Sequence, residues 1–158
     1  MNKKSSYEFI FDWILINKLA VGTSPTKKED INILKKNNVK NILALCSEDE
    51  VKWHENLNQE FNCFRFVLPD SHQKILPSND QLNDAFNLFK KLINNNATFV
   101  HCVASMERSP LFCIMYVMYK HNLSLEEGLD FVKANHSKTN PTNNQLLCIK
   151  NFITNNSD

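Results

Sequence analysis

Only two glycines, Gly22 and Gly128, occur among the 158 residues of this chain. Tight turns with positive φ must therefore rest on Asn and Asp, which also tolerate that conformation; Asn is abundant, as in Asn94-Asn95-Asn96. Net charge is nearly missing too, since 18 Lys and Arg stand against 17 Asp and Glu for a balance of +1. Such a chain projects no long-range field towards nucleic acid or an anionic membrane, so affinity for an anion must come from a local site. No stretch approaches the roughly eighteen apolar residues of a membrane span. The run from Phe9 to Ile16 behind Lys3 and Lys4 is short and broken by Asp12, and reads as structure rather than as a signal peptide. Five cysteines, an odd number without disulfide-framework or metal-ligand spacing, point to free thiols in a reducing compartment, the cytoplasm by default. His54, His72, His121 and His136 show no ligand spacing and read as solvent-facing or capping residues.

What is present belongs to a globular α/β protein. With 42% hydrophobic and 22% charged residues and no repeat or linker, residues 1–158 read as one domain able to bury roughly 70% of its unfolded surface. Lys18 to Val21 reads as a strand closed by Gly22, and Ser24-Pro25-Thr26 opens a helix to about Asn37. Val39 to Leu45 has the continuous apolar character of a strand buried on both faces. Glu48 to Leu57 reads as a short helix, and Phe61 to Leu68 as strand again. Ser78 caps a helix from Asn79 to Asn94 with Leu82, Phe86, Phe89 and Ile93 on one stripe. Ala97 to His101 is a brief strand, and a long helix begins at Ser109 with Pro110 in its first turn. Ser124 and Thr142 start two more helices, each with an acid or amide near the capping-box position. This order predicts a mainly parallel central sheet of four to five strands flanked by helices, with ligands bound beyond the strands' carboxyl ends.

The loop from His101 to Ser109 is where chemistry is expected. Between a strand and a helix start lie Cys102, then Val103, Ala104, Ser105, Met106 and Glu107, then Arg108. Successive backbone N–H groups in such a loop can curl around a tetrahedral oxyanion at the positive end of the helix dipole. Arg108 adds a planar fork for two phosphate oxygens, and both features favour Cys102 as a thiolate nucleophile. Ser109 can hydrogen-bond the sulfur, and His101 can orient the loop. An acid for the leaving oxygen is needed as well. Asp70, in a Pro-Asp loop 32 positions before Cys102, is the candidate, with His72 close enough in sequence to touch a substrate. Cys63, Cys113 and Cys148 lie among apolar neighbours and read as packing residues.

His-Cys-x5-Arg-Ser with an upstream Asp resembles the dual-specificity branch of the protein tyrosine phosphatases. Trp13-Ile14 with Leu19 to Pro25 is similar to the family's first strand and its exit, and Pro141 with Gln145, Leu146, Ile149 and Phe152 to its last helix. The resemblance implies metal-independent, cofactor-free hydrolysis of phosphotyrosine, and of phosphoserine or phosphothreonine, in protein substrates through a phosphocysteine. Neither nucleic acid nor membrane insertion is implied. Two departures stand out. Ser105 occupies a place usually held by glycine, where a side chain is expected to strain the loop or narrow the pocket, and Glu107 disfavours highly charged anions such as multiply phosphorylated inositols. Cys46 resembles a cysteine that, in the phosphatases of regenerating liver, forms a protecting disulfide with the nucleophile, which makes it a redox partner for Cys102; its alternative role is that of a small core hydrophobe. Two further readings stay open: a rhodanese-fold phosphatase, whose loops also carry Ser and Glu at these places, and a pseudophosphatase that binds phosphorylated partners without turnover.

Overall fold

Five strands and six helices alternate along residues 8–156, the part of the chain that the computed structural model describes. They are β1 (Phe11–Leu15), β2 (Leu19–Gly22), α1 (Lys28–Lys36), β3 (Asn41–Ala44), α2 (Leu57–Glu60), β4 (Asn62–Arg65), α3 (Asn79–Asn95), β5 (Thr98–His101), α4 (Arg108–His121), α5 (Leu125–Asn135) and α6 (Asn143–Asn155). The sheet order is β1-β2-β5-β3-β4, with β1 antiparallel to β2 and every other pair parallel. The mainly parallel sheet expected from the alternation of elements is therefore present, and β5 lies at its centre. The loop that leaves the carboxyl end of β5 opens onto the crevice where such sheets bind ligands.

Successive residues of a strand face opposite sides, and every residue of β3 and β5 is buried, so both faces of these central strands are covered. Ala20, Ile42 and Phe99 pack on one face with Ile31, Leu34 and Leu57; Val21, Leu43 and Val100 pack on the other with Phe89, Phe112 and Ile114. Helix α4 runs through the second layer and is buried from Arg108 to Met118, so it is apolar almost all round. Pro110 is its third residue, where the missing N–H would have had no helical partner. The expected caps are reciprocal: Ser78 with Gln81, Ser124 with Glu127, and Thr142 with Gln145. Among the described residues, positive φ falls on Asn17, Asn38, Asn122, Lys74 and Ser105 and on neither glycine. Gly22 answers a different need, because a Cβ there would lie 1.8 Å from the Ile10 carbonyl oxygen.

One element differs from expectation. Glu48 to Leu57 is not a helix; residues 48–56 are turns and irregular backbone, and only Leu57–Glu60 is helical. Ser47 and Glu50 satisfy each other's N–H groups locally, while the Glu50 carboxylate and the Trp53 indole are drawn down to the β5–α4 loop. Tertiary partners outweigh a weak helical preference. The Phe61–Leu68 strand shortens to β4, but Phe66 and Leu68 still donate to Ala44 and Leu45.

Candidate active site

The β5–α4 loop brings Cys102, Arg108 and Ser109 to one point. Cys102 is 3% exposed, and its Sγ lies 3.2 Å from Ser109 Oγ in the first turn of α4. Val103, Ala104 and Glu107 are half-buried, Met106 is exposed, and Ser105 is fully buried. Arg108 donates through Nη2 to Glu50 Oε1 at 2.7 Å and through Nη1 to Glu50 Oε2 at 3.1 Å, with the Leu45 and Leu68 carbonyls beside Nη1. Glu50 thus grips both terminal nitrogens of the guanidinium. The hydrogen bonds from Arg108 hold the Glu50 carboxyl below the usual carboxylate range.

Asp70 reaches the same arginine, its Oδ2 3.6 Å from Nη2, while Oδ1 accepts from the His72 N–H at the head of a single 3-10 turn, Ser71–Gln73. Glu50, Asp70 and His72 line one cleft of about 580 Å³ with Ser47, Leu68 and Pro69. Glu107 is held to the side by Gln145 at 3.4 Å. Among the described residues no cluster of His, Cys, Asp or Glu could hold a metal, and no helix is long and apolar enough to cross a membrane.

His101 is fixed from both sides. Its Nδ1–H donates to the Cys102 carbonyl at 3.0 Å, so Nε2 is the acceptor for Trp53 Nε1–H at 2.7 Å. Burial pushes the ring down to about 4, which keeps it neutral in this tautomer at ordinary pH. Arg65 stacks over Trp53 at 4.2 Å and donates to the Cys46 carbonyl. Cys46 shares a small buried cluster with Cys102 and Ala44, and burial raises its thiol to about 11. Burial likewise raises Cys63 to about 11 and pushes Cys113 and Cys148 up, as befits thiols that pack rather than react.

Two sequence expectations need correction. Ser105 does not narrow the pocket: its backbone is left-handed at φ 58°, and its hydroxyl turns beneath the loop to Ser109 Oγ at 3.2 Å and His136 Nε2 at 3.1 Å. The strain is retained, at about 1 kcal/mol for a non-glycine residue in this conformation. His136 stands at the C-cap of α5, its N–H bonded to the Val132 carbonyl, but its ring does not face solvent; it is fully buried between Asp12 and Ser105. Glu50, Trp53 and Asp12 were not picked out as site residues. Only Asp12 left a signal, as the one charge in an apolar run.

A cysteine at the head of a buried helix, an arginine six residues further on and a carboxylate facing that arginine form a recognisable set. The family described as the dual specificity phosphatase catalytic domain matches residues 20–154. The chain belongs to that family. It is 31% identical over 100 residues to dual specificity protein phosphatase 16 of Homo sapiens, a match covering 56% of this chain and 15% of that protein. Over 47 residues it is 45% identical to dual specificity protein phosphatase 14 of Mus musculus, covering 30% of this chain and 24% of that one. The matched segments thus span a quarter or less of these curated relatives. The fold is also that of the human tyrosine phosphatase-like serine/threonine/tyrosine-interacting protein, with a TM-score of 0.78 at 18% identity over 91% of this chain and 95% of that one. Membership of the dual specificity family sets the rhodanese-fold alternative aside.

Proposed function

We propose that this dual specificity phosphatase domain is a catalytically competent protein phosphatase that hydrolyses phosphomonoesters through a phosphocysteine. The observation that carries the reading is the convergence of Cys102, Ser109, Arg108 and Asp70 at the head of α4. The Arg108 guanidinium and the N–H groups of Val103 to Arg108 bind the phosphate. The Cys102 thiolate attacks phosphorus, and the bond to the leaving oxygen breaks as Asp70 gives that oxygen its proton. Asp70, now a carboxylate, takes a proton from water, whose oxygen attacks phosphorus. The P–S bond breaks, Ser109 O–H stabilises the returning thiolate, and inorganic phosphate leaves.

Glu50, Asp70 and Glu107 surround the site, which suits one phosphate group better than several. Met106 in the loop is exposed, which suits a shallow site that accepts phosphotyrosine and also phosphoserine and phosphothreonine in proteins. It works as a single catalytic unit without metal or cofactor, in the reducing cytoplasm. The test is vanadate-sensitive hydrolysis of a small aryl phosphate between roughly pH 5 and 7.5, absent in Cys102→Ser. A wild-type protein that binds vanadate and turns over nothing across that range is a phosphate-binding module instead.

A further inference from the structure

Beneath the β5–α4 loop, a line of polar contacts joins the edge strand β1 to the Cys102 sulfur. Asp12 Oδ2 lies 2.7 Å from His136 Nδ1. His136 Nε2 lies 2.7 Å from the Ser105 carbonyl oxygen and 3.1 Å from Ser105 Oγ. Ser105 Oγ is 3.2 Å from Ser109 Oγ, which is 3.2 Å from Cys102 Sγ. His136, Ser105 and Ser109 are all fully buried. The His136 main chain is pinned too, its carbonyl accepting from the N–H and hydroxyl of Thr139.

The placement of hydrogens in this line is constrained. A carboxylate and a backbone carbonyl only accept, so both ring nitrogens of His136 must donate, and the ring satisfies both partners only as the imidazolium. Its Nε2–H, shared between the Ser105 carbonyl and Oγ, obliges the Ser105 hydroxyl to send its own hydrogen onward to Ser109. Ser109, accepting it, sends its hydrogen to the Cys102 sulfur, which is then the acceptor, a role that a thiolate fills far better than the weakly accepting thiol. In the reverse order, with S–H as first donor, the Ser105 hydrogen would point at His136 Nε2. That nitrogen would be bare, and its lone pair would face the Ser105 carbonyl at 2.7 Å. A cationic His136 and an anionic Cys102 are thus two ends of one ordered arrangement.

We propose that Asp12, His136 and Ser105 are positioning residues that act through Ser109 to hold Cys102 as the thiolate. This explains a side chain at Ser105 despite its left-handed backbone, because the hydroxyl is the link that a glycine would lack. The proposal rests on Cys102 being the nucleophile, but its test does not need turnover. The rate of iodoacetamide alkylation, followed by mass spectrometry on the peptide that carries Cys102, is measured against pH in the full chain.

In Ser105→Gly the midpoint of that profile is expected to rise by about one pH unit, a roughly tenfold loss of thiolate well below the midpoint. The melting temperature should stay equal or rise, since glycine relieves the backbone. His136→Gln should raise the midpoint similarly, and Asp12→Asn by less. Because the three act in series, Ser105→Gly combined with His136→Gln should shift the midpoint no further than either alone. An unmoved midpoint in Ser105→Gly, or shifts that add in the double variant, overturns the relay. Should His136→Gln fail to fold, Ser105→Gly decides alone. A relay found intact in a protein without phosphatase activity would sink the proposed function and leave this inference standing.

Discussion

Two regions meet at Arg108. Below it lies the floor: the turn from β5 into α4, with Cys102, His101, Ser105 and Ser109 buried and each polar atom engaged by a neighbour. Above it lies the rim, residues 47–56 and 69–77, which is irregular backbone apart from one 3-10 turn and supplies Glu50 and Asp70 with side chains 28% and 32% exposed. The floor belongs to the hydrophobic core through α4, so its geometry is as rigid as the core itself. The polar side chains of the rim are held by a few hydrogen bonds and ion pairs. Except at Ser105, where glycine would relieve a left-handed backbone, changes to the floor should therefore cost stability and activity together, whereas changes to the rim should cost activity with little stability.

The largest effect is expected at the junction. Arg108→Ala removes the proposed phosphate clamp and leaves Glu50 without its partner. kcat/KM should fall about 10³-fold, and stability by roughly 3 kcal/mol, at the lower end for breaking a buried pair because Glu50 is partly exposed. Urea denaturation alongside the activity assay separates the two losses. An inactive variant of wild-type stability would show that Arg108 is no part of the floor. Arg108→Lys, which keeps the charge without the fork, should recover stability better than activity.

The floor also predicts a pH dependence of stability. Burial sets His101 at about 4 in the native state, against about 6.5 for an unfolded histidine. Below pH 6.5 the unfolded chain takes a proton that the native ring refuses. The stability this group contributes is therefore complete above that pH and is lost as pH falls towards 4, by roughly 3 kcal/mol in all. Denaturation curves at pH 7 and 4.5 should show the loss in wild type and much less of it in His101→Asn. Equal losses in both would mean that the ring is not held neutral by its burial.

A rim change of comparable kinetic weight is Asp70→Asn. It should lower kcat about 10²-fold for phosphoserine or phosphotyrosine, whose leaving oxygens need a proton, and far less for an aryl phosphate with an acidic phenol. The melting temperature should not move. A uniform loss across leaving groups would relieve Asp70 of the acid role. Glu50→Gln comes next, with a fall of about tenfold in kcat/KM, since Gln can accept from one Arg108 nitrogen but offers no charge. Its stability should drop slightly, placing Glu50 between rim and floor.

The same division separates what the sequence discloses from what it hides. The floor is built by neighbours in the chain: a strand, Cys-x5-Arg and a helix start with Pro110, each with a local signature. The caps at Ser78, Ser124 and Thr142 are likewise local, with partners three residues away. Glu50 and Trp53 are bound by residues 58 and 48 positions distant, so their acidic and amphipathic pattern reads as a helix that tertiary contacts do not permit. His136 lies 124 positions from Asp12, and nothing near it in the chain marks it as buried. The direction of the Ser105 side chain depends on its positive φ, which residue identity alone does not state.

The smallest expected effect concerns Cys46, which touches the floor without taking part in its hydrogen bonds to the sulfur. In reducing buffer Cys46→Ala should keep turnover within about twofold of wild type, as a small change in a small cluster. After a brief peroxide pulse the two proteins should differ. Peroxide converts Cys102 to its sulfenic acid, which the Cys46 thiol can condense with, releasing water and forming a disulfide that dithiothreitol reopens. With its thiol raised to about 11, Cys46 offers little thiolate, and this capture must rely on proximity within the shared cluster rather than on reactivity. Recovery after dithiothreitol should be nearly complete in wild type and partial in Cys46→Ala, where the sulfenic acid goes on to the irreversible sulfinic state. Equal recovery would make Cys46 a packing residue like Cys113, and would leave the floor's chemistry to Cys102 alone.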